Sequence, residues 1–599
     1  MCGITGYIGK KEALPIVFEN LKKLEYRGYD SAGVAFFDFS GDQKLVKAVG
    51  KLGNLEKLIK DEKSLPTMAA IGHTRWATHG VPNEVNAHPH FDCKKEFFLV
   101  HNGIIENYRE LKDGLMKKGH NFRSQTDTEV LAHLVEEYGF DLAIKKVIGA
   151  YAIAAIFKNE PQKIYIARLG SPLVIGVGKD GYYVASDPTA LAGLVKKVIF
   201  LKDGQRGLLA LNSIKIGPAR PKIVPLEIDA EQAKKGKFPH FMLKEIFEGS
   251  EVVAAALRGR IFPQKNLIKL GGLEGVAGKI PKIKRMEIIS CGTSYYAGMI
   301  GAALFKELAN LPTETILASE YRYARDPKQN NTACLFISQS GETADTLAAL
   351  KKAKERKYLN LGLVNAVGSS IARETDAGVY NHAGPEIGVA STKAFLSQLS
   401  ILSLMSLYFG QTKFEKNSQT ARSLMAELVR ISAKIQLVLK QSEAIRSLVK
   451  KYAHYKNFLY LGRGYNYPVA LEGALKLKEI SYAHAEGYAG GEMKHGPIAL
   501  IDKNFPVVAL VNKNHLYEKM ISNLEEIKAR NGKILAIASI GDKAIAKLAD
   551  DVIYVPETVE QLEPILNTVP LQLFAYYFAV AHGNDVDKPR NLAKSVTVE

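Results

Sequence analysis

The second residue of the chain combines two reactive groups if the initiator methionine is removed. Cysteine at position 2 is small enough for Met1 to be trimmed, which would leave a thiol and a free α-amine on one residue. The α-amine titrates at about 7.7–8.0 and free cysteine at about 8.5, so the amine can act as a base toward its own thiol. We therefore predict that Cys2 is a self-contained nucleophile. If Met1 stays in place, a Cys–His dyad with His79 or another imidazole as base is the alternative.

A second set of reactive residues lies on one predicted helix far along the chain. Glu472, Lys476 and Glu479 are spaced i, i+4 and i+7, so they share one helix face. The other faces are apolar, as at Ala474 and Leu477, which indicates a mostly buried helix. A partly desolvated carboxylate on such a face can act as a general base in a proton transfer. A surface salt bridge is the alternative interpretation of the same spacing.

Hydroxyl and amide side chains crowd the end of a predicted strand at Ser338, Gln339, Ser340 and Thr343. Ligands of open α/β sheets bind beyond the carboxyl ends of strands, where helix N-termini offer unpaired N–H groups to anions. The chain has no P-loop motif and no GxGxxG after a first strand, so a small phosphorylated molecule is favoured over a nucleotide. Helix capping is the alternative role for these side chains.

The elements that must position these residues change in character along the chain. The first part has short strand-like runs with few helices, which predicts an α+β unit with much antiparallel sheet. Its strands are predicted at Gly33–Phe37, Phe97–Val100, Ala150–Phe157 and Lys163–Ala167. A proline-rich stretch at 217–239 predicts a linker that ends near Lys244.

The remainder alternates short buried strands with long helices, which is typical of parallel, doubly wound α/β sheets. A helix is predicted around Met242–Leu257, and two copies of one strand–turn–helix unit follow. The first copy comprises strand Met286–Ser290, a helix from Tyr295, strand Ala333–Ile337 and helix Ala344–Lys354. The second comprises strand Phe458–Leu461, a helix through Ile480, and strands Val507–Val511 and Lys533–Ala538.

Length and composition favour a globular, multi-domain protein of the cytoplasm. The net charge is +18, from 80 Lys and Arg against 62 Asp and Glu, but the lysines are scattered, which favours a solvated surface and an anionic substrate over nucleic acid. We found no apolar run near the roughly 18 residues that span a bilayer and no secretory signal, so no membrane association is expected. Four cysteines at irregular spacing agree with a reducing compartment. The spacing of His73, His79, His88 and His90 fits no zinc pattern, so no metal or other cofactor is expected.

Five short motifs resemble the glutaminase domain of the N-terminal-nucleophile amidotransferases. They are Cys2–Ile4, Tyr26–Ser31, His73–Gly80, Asn102–Gly103 and Thr126–Glu129. The resemblance implies a four-layer αββα sandwich over residues 1–240, in which the thiolate attacks the glutamine side-chain amide and releases ammonia.

The same resemblance assigns roles to single residues. A zwitterionic glutamine needs a guanidinium for its carboxylate and a carboxylate for its ammonium group. The matching glutamine-binding positions are Arg75, Asp127, Thr78 and His79. An oxyanion needs preorganised donors, and the matching positions are Asn102 and Gly103; without the match, this Asn-Gly pair would predict a hairpin turn. Trp76, the only tryptophan, matches the gate of an ammonia channel.

Three further motifs are similar to the sugar-isomerase (SIS) domain, which binds phosphosugars. They are Cys291–Ser294, Ser338–Thr343 and Val389–Thr392, and two SIS domains in tandem would cover residues 277–416 and 449–589. The sugar-phosphate-binding positions implied by the resemblance are Ser294, Ser338, Gln339, Ser340, Thr343 and Ser391. The base for isomerisation matches Glu479, with Lys476 assisting.

The end of the chain carries a further resemblance. Residues 587–599 are similar to the C-terminal signature of the amidotransferases that form glucosamine 6-phosphate. This implies that the tail 590–599 lies at the active sites, where Lys594 forms a Schiff base with the ketose. It also implies that His495 opens the sugar ring and reaches the neighbouring subunit, hence a homodimer.

We therefore expect an enzyme that converts fructose 6-phosphate and glutamine to glucosamine 6-phosphate and glutamate. A phosphoribosyl or asparagine-forming amidotransferase would share the first 240 residues, but it would need an ATP or pyrophosphate loop that we do not find. A phosphosugar-binding regulator with vestigial catalytic residues is the alternative from another class. The joint presence of Glu479, His495 and Lys594 argues against it.

Overall fold

The computed structural model describes residues 2–38, 42–61, 67–226, 234–325, 327–414 and 418–597. The predicted removal of Met1 therefore lies outside the described residues. By its contacts the chain forms two compact units. The first comprises residues 1–234 together with 342–344 and 593–599, and the second comprises residues 235–341 and 345–592.

The first unit consists mainly of antiparallel strands with five helices among its described residues. The strands are β1 (Gly3–Gly9), β2 (Ser31–Phe37), β3 (Gln43–Val49), β4 (Ala69–Arg75), β5 (His90–Phe91), β6 (Phe97–Ile105), β7 (Gly149–Phe157), β8 (Glu160–Leu169), β9 (Val174–Val177), β10 (Gly181–Ala185), β11 (Lys197–Phe200), β12 (Arg206–Ala210), β13 (Ser213–Gly217) and β14 (Ile223–Pro225). The helices are α1 (Ala13–Leu24), α2 (Leu52–Asp61), α3 (Tyr108–Lys117), α4 (Asp127–Tyr138) and α5 (Phe140–Lys146).

These strands form two sheets that pack face to face. One has eight strands in the order β14-β11-β9-β10-β1-β4-β2-β3, and the other has six in the order β13-β12-β8-β7-β6-β5. Side chains of β1 alternate between two cores because strand residues point to opposite faces. Ile4 and Ile8 pack with Phe98 of the other sheet, whereas Tyr7 packs on the side of α1. A third core lies between the six-stranded sheet and α3–α5. The predicted αββα sandwich is confirmed.

The predicted linker at 217–239 is partly wrong. Residues 223–225 form β14, in which Ile223 pairs with Ile199 of β11, so the sheet continues past the first prolines. A proline at the end of an edge strand is tolerated because no ladder partner needs its missing N–H. Residues 227–233 of this predicted linker lie outside the described residues, and the next helix begins at Phe241.

Most strands of the second unit are parallel, and they alternate with helices. Its strands are β15 (Ile261–Phe262), β16 (Leu267–Ile268), β17 (Arg285–Ser290), β18 (Thr313–Leu317), β19 (Thr332–Ser338), β20 (Leu359–Val364), β21 (Ala377–Tyr380), β22 (Asn457–Gly462), β23 (His484–Ala489), β24 (Val507–Val511), β25 (Ile534–Ser539) and β26 (Asp551–Val555). Its helices are α6 (Phe241–Leu257), α7 (Gly292–Ala309), α8 (Ala318–Tyr321), α9 (Ala344–Glu355), α10 (Ser370–Glu374), α11 (Lys393–Lys413), α12 (Gln419–Leu439), α13 (Ser442–Tyr452), α14 (Asn466–Ser481), α15 (Tyr517–Lys528), α16 (Ile545–Leu548) and α17 (Glu563–Ala581).

Two five-stranded parallel sheets show the predicted internal repeat. Their orders are β18-β17-β19-β20-β21 and β23-β22-β24-β25-β26, so each first strand lies second in its sheet. This is a doubly wound arrangement with a switch point beside the first strand. One continuous apolar core joins the two sheets, and it includes Phe305, Leu402, Leu477 and Phe574. Residues 484–489, which were not predicted as a strand, form β23 and pair in parallel with β22.

Helix α17 contradicts the prediction that no apolar run is long enough to span a bilayer. The segment Glu560–Ala581 is long and apolar enough to do so, with a mean hydropathy of 1.2 over its best window. However, 89% of that window is buried inside the protein. An apolar helix without a polar face is also what a central core position requires, and we assign α17 to the core of the second unit.

Candidate active sites

The thiol of Cys2 lies at the start of the central strand of the eight-stranded sheet. Strand β1 pairs with β4 on one side, so Cys2 lies next to the end of β4 at Arg75. The Trp76 peptide N–H donates to Cys2 Sγ at 3.3 Å, and the thiol lies 3.5 Å from the Trp76 carbonyl oxygen. Burial raises the pKa of the Cys2 thiol, and the Trp76 N–H and the Arg75 guanidinium offset only part of this rise. The thiol therefore needs a base to become a nucleophile.

Two side chains hold the backbone of Cys2 in place. Its carbonyl oxygen accepts hydrogen bonds from Asn102 Nδ2 at 2.9 Å and from Arg27 Nε at 3.2 Å. Arg27 is itself anchored by an ion pair with Asp187 at 2.9 Å. These bonds fix the direction in which the Cys2 side chain leaves the strand.

The predicted alternative of a Cys–His dyad finds no support in the geometry. Among the described residues, no imidazole lies within hydrogen-bond distance of Cys2 Sγ, whose contacts are with the Trp76 backbone. His79 instead lies 3.3 Å from the Thr78 hydroxyl and 3.9 Å from Asp127. The described imidazoles therefore do not form the alternative dyad with Cys2.

Arg75, which is expected to bind the glutamine carboxylate, lies near the thiol. Arg75 Nη2 donates to the carbonyl oxygens of His79 and Gly80, the latter at 3.1 Å. Its Nη1 is buried and has no hydrogen-bond partner among the described residues. Burial lowers the pKa of Arg75, although nearby acids such as Asp127 oppose this effect. A buried guanidinium with one free N–H side is suited to a ligand carboxylate.

Asp127 is the first residue of α4, and its carboxylate is held in place from one side. Its Oδ2 accepts the Ile105 N–H at 2.9 Å, and its Oδ1 faces His79 Nδ1 at 3.9 Å. The helix is capped one residue earlier by Thr126, whose hydroxyl accepts the Glu129 N–H at 3.4 Å. The predicted carboxylate for the substrate ammonium group thus has a fixed position.

Asn102 and Gly103 lie inside β6, so the alternative prediction of a hairpin turn is wrong. Gly103 has φ of +139°, and a Cβ built there would lie 1.9 Å from the Ala150 carbonyl oxygen. Only glycine fits this position, because β7 passes too close for a side chain. The strand presents the Asn102 amide toward Cys2, as the oxyanion role requires.

A layer of neutral histidines lies behind Asn102, and this layer was not predicted from the sequence. His73 Nε2 lies 3.0 Å from Asn102 Oδ1, and its ring stacks on His88 at 4.0 Å. The Thr128 hydroxyl lies 2.9 Å from both His88 Nε2 and His101 Nδ1. Burial lowers the pKa of His73 to about 3, so the ring is neutral and its Nε2–H can donate to Asn102. His73 lies in β4 and His101 in β6, but neither position belonged to a predicted strand, so no sequence signal indicated this layer.

The predicted sugar-phosphate residues of the second unit lie at the carboxyl ends of its first sheet. Ser338 ends β19 and its hydroxyl accepts the Gly341 N–H at 3.0 Å, while Gln339 and Ser340 follow it. Ser294 lies in the first turn of α7 and accepts from Gln398 at 3.0 Å. These hydroxyls surround helix N-termini, which favour anions.

Ser391 lies immediately before the N-terminus of the long core helix α11. Its hydroxyl donates to Glu386 at 2.9 Å. The other oxygen of Glu386 accepts the N–H groups of Thr392 and Ala394 at 2.9 and 3.0 Å. Glu386 therefore caps α11 and fixes the orientation of Ser391.

The face of α14 that carries Glu472, Lys476 and Glu479 is buried. Lys476 Nζ lies 2.5 Å from Glu479 and 3.4 Å from Glu472, and the side chains of Lys476 and Glu472 are each 1% exposed. The alternative prediction of a surface salt bridge is therefore wrong. Glu479 is 20% exposed, so one carboxylate of this face reaches solvent.

Thr293 of the first sheet's helix α7 joins this group. Its hydroxyl accepts a hydrogen bond from Lys476 Nζ at 3.0 Å and donates one to Glu472 Oε1 at 3.3 Å. Burial raises the pKa of Glu472 to about 8, although Lys476 opposes this. Burial alone would lower the pKa of Lys476, but the two carboxylates outweigh it and raise that pKa.

The remaining predicted residues are not placed in a common site by these contacts. Thr343 and Lys594 both belong to segments of the first unit, where the Ala344 N–H donates to the Val596 carbonyl at 2.9 Å. His495 is exposed at the end of a 3₁₀ turn, Gly490–His495, in the second unit. Trp76 is half-buried, and its ring lies edge-on to Tyr29 with centroids 5.9 Å apart.

Comparisons with known proteins agree with these two kinds of site. The glutamine amidotransferase domain family matches residues 60–212, and the SIS domain family matches residues 279–408 and 451–582. The chain is 48% identical over its full length to a glutamine–fructose-6-phosphate aminotransferase (isomerizing) of Bacteroides thetaiotaomicron, and all of that protein is covered. It is also 48% identical, again with full coverage of both chains, to the enzyme of the same name from Thermus thermophilus.

A solved structure gives the same relationship for the second part of the chain. It is the C-terminal domain of glucosamine-fructose-6-phosphate aminotransferase from Francisella tularensis, with 39% sequence identity and a TM-score of 0.56. The similarity covers 59% of this chain and 100% of that one. From full-length identity well above 30% and from both domain matches, the chain belongs to the glutamine–fructose-6-phosphate aminotransferase (isomerizing) family.

Proposed function

We propose that the protein transfers the amide nitrogen of glutamine to fructose 6-phosphate and isomerises the product, giving glucosamine 6-phosphate and glutamate. The observation that carries this proposal is the presence, on one chain, of two chemically different sites. A buried N-terminal thiol lies beside a free guanidinium edge, and a Glu-Lys-Glu helix face lies in a tandem SIS unit. Neither a simple glutaminase nor a simple sugar isomerase needs both.

In the glutaminase half we propose that Cys2 attacks the amide after its own α-amine has taken the thiol proton. Arg75 and Asp127, with Thr78 and His79, hold the two charged ends of glutamine. The Asn102 amide and the Gly103 N–H stabilise the oxyanion as it develops. Burial of the thiol supports the need for a base so close by.

In the isomerase half we propose that Glu479 moves the proton between C1 and C2 of the sugar. Of the three charged groups on this buried face of α14 it is the most exposed, so substrate can reach it, and Lys476 holds it at 2.5 Å. We propose that Lys594 forms the Schiff base and that His495, on a second copy of the chain, opens the ring. The exposure of His495 suits such a role in a homodimer.

We further propose that ammonia passes from Cys2 to the sugar inside the protein, with Trp76 as the gate. Ammonia that escaped to water would be protonated and would no longer be a nucleophile. The Trp76 N–H contacts the thiol itself, so a movement of Trp76 would accompany events at Cys2. A cytoplasmic location also remains a prediction.

The test follows glutamate, ammonia and glucosamine 6-phosphate in one assay. Wild type should form about one aminosugar per glutamate, with little ammonia captured by a trap in solution. Cys2→Ala should lose glutamine use but keep fructose 6-phosphate isomerisation. Glu479→Gln should keep glutamine hydrolysis and lose isomerisation by about 10²–10⁴-fold, the usual contribution of a general base.

The results that would contradict the proposal are equally specific. Glutamine consumption by wild type with no aminosugar formed would refute the transfer. Full aminosugar formation by Glu479→Gln would remove Glu479 from the role of base. Loss of both activities in Cys2→Ala would show that the two sites do not work independently.

A further inference from the structure

A group of metal-binding side-chain types lies in the first unit, apart from the residues around Cys2. Cys93, His120, His133 and Glu136 each point one ligand atom into a common space, and these four atoms lie within 4.8 Å of one another. Cys93 Sγ is 3.7 Å from His120 Nδ1 and 3.6 Å from His133 Nδ1. Glu136 Oε2 is 3.1 Å from each of the same two nitrogens.

These distances are close to the edges of a zinc coordination tetrahedron. With Zn–S of about 2.3 Å and Zn–N of about 2.05 Å, tetrahedral angles put sulfur and nitrogen about 3.6 Å apart. A carboxylate oxygen at about 2.0 Å from zinc would lie about 3.3 Å from each nitrogen. The thiol, the two imidazoles and the carboxylate therefore need to move only a few tenths of an ångström to share one cation.

The outer face of each histidine turns toward a further carboxylate. His120 Nε2 lies 3.2 Å from Glu137 Oε2, and His133 Nε2 lies 3.8 Å from Glu129 Oε1. Histidines that bind a metal through one nitrogen usually donate the other N–H to a carboxylate, which fixes the tautomer and the ring orientation. Both rings here have their Nδ1 directed inward and their Nε2 directed at an acid.

Burial and charge also suit a bound dication. The side chains of His133 and His120 are 2% and 8% exposed, so the nitrogen ligands are largely shielded from water. On binding, the Cys93 thiol would give up its proton, and the resulting thiolate and the Glu136 carboxylate would neutralise the two charges of the metal. Since all four positions come from the protein, no coordination site is left for a substrate.

We propose that Cys93, His120, His133 and Glu136 bind one Zn²⁺ in a four-coordinate structural site. The mixed sulfur, nitrogen and oxygen set in a tetrahedral arrangement is typical of zinc. The site would join three segments of the chain: the connection between β5 and β6, the residues after α3, and the middle of α4. Because α4 begins with Asp127, the metal would help to hold this carboxylate at the glutamine site.

The expectation of no metal rested on local spacing, which this cluster does not obey. Its members lie at positions 93, 120, 133 and 136, and only the last two share an element. Of the cysteine and histidines involved, none belongs to the motifs that suggested the glutaminase resemblance. The fold alone brings them together.

The first measurement is the metal content of the full-length chain, purified without chelators and dialysed against metal-free buffer. We expect about one zinc per chain in wild type. Cys93→Ser and His120→Ala should each reduce it to near zero, whereas His515→Ala, which removes an exposed histidine paired with Glu560 at 2.7 Å, should keep it. Far-UV circular dichroism and a cooperative thermal transition like those of wild type would verify that the variants, including their first unit, are folded.

Cobalt substitution distinguishes a metal bound by the Cys93 thiol from one bound by the Cys2 thiol. Wild type and Cys2→Ala loaded with Co²⁺ should both show a sulfur-to-cobalt charge-transfer band, and Cys93→Ser should lack it. Wild type that binds no stoichiometric zinc or cobalt when these ions are supplied would overturn the proposal, and the four groups would then be a hydrogen-bonded cluster. A band that is lost in Cys2→Ala and kept in Cys93→Ser would overturn it as well. The wild-type and Cys2→Ala measurements need no change in the cluster, so they hold even if its variants do not fold.

Discussion

At the scale of single residues, the thiol site depends on a side chain that does not touch the thiol. His73 donates from Nε2 toward Asn102 Oδ1, at 3.0 Å, and toward the His101 carbonyl oxygen, at 3.1 Å. This leaves the Asn102 NH₂ group directed at Cys2, where the oxyanion role needs donors. His73 is thus a positioning residue for the proposed oxyanion hole.

Replacing His73 with alanine should therefore slow glutamine hydrolysis without weakening glutamine binding. The Asn102 amide would lose the donor that holds its oxygen and could rotate. We expect kcat to fall about tenfold to a hundredfold, less than the about 10²–10³-fold for loss of an oxyanion donor itself. The KM for glutamine should stay close to that of wild type, since Arg75 and Asp127 are untouched. Steady-state glutaminase kinetics give both constants.

Two controls distinguish positioning from general damage to the fold. His73→Gln, which can still donate a hydrogen bond, should recover part of the lost kcat. Fructose 6-phosphate isomerisation by the second unit should not change. Equal losses in His73→Ala and His73→Gln, or a rise in KM of the same size as the fall in kcat, would argue against the positioning role.

The sequence predicted some of these residues and missed others for a physical reason. Cys2 was predicted from its own chemistry, and Arg75 and Asp127 from the resemblance to the glutaminase domain. His73 and Thr293 act by holding other groups, and their roles depend on contacts between distant segments. Such contacts leave no periodicity in the sequence, so only the fold reveals them.

At the scale of elements, burial of one face of helix α14 raises the pKa of a carboxyl group on that face. Glu472 keeps its proton up to about pH 8 in the folded chain, whereas its ordinary pKa is 4.5. The protonated form of Glu472 therefore stabilises the folded chain. This contribution to the free energy of unfolding is fully present below pH 4.5. It is lost as pH rises through the folded pKa, because the unfolded chain binds fewer protons in that window.

Glu472→Gln should therefore change how stability depends on pH. Glutamine mimics the protonated acid, so the variant and wild type should have similar free energies of unfolding near pH 4.5. Toward pH 8 the variant should become the more stable, by on the order of a few kcal/mol, because it has no carboxylic acid to deprotonate. Urea unfolding at the two ends of this window measures the difference. A constant difference at both ends would contradict a raised pKa at Glu472.

Long, periodic elements could be predicted more reliably than short or irregular ones. The predicted helix Ala344–Lys354 differs from α9 by one residue, and the strand Val507–Val511 matches β24. In contrast, β14 was assigned to a linker, and β23 was not predicted as a strand. Both are edge strands containing proline or glycine, so their pairing with a neighbour outweighs a weak local preference for strand.

At the scale of the whole molecule, the contact pattern assigns the proposed thiol site and the α14 face to different compact units. Cys2, Arg75, Asn102 and Asp127 belong to the first unit, and Glu472, Lys476 and Glu479 to the second. The second unit has a continuous apolar core of its own, which extends from Met242 to Val586. A unit with its own core can fold alone in principle.

The chain cut after residue 234 should therefore yield a fragment, residues 235–599, that folds and interconverts fructose 6-phosphate and glucose 6-phosphate. It should use no glutamine, because Cys2 and the residues around it are absent. A relative whose C-terminal domain alone gives a folded structure supports this expectation. The same fragment with Glu479→Gln is the matched control and should be folded but inactive. A fragment that is folded by circular dichroism yet lacks isomerase activity would mean that the sugar site needs groups from the first 234 residues, and the division of chemistry between the two units would have to be withdrawn.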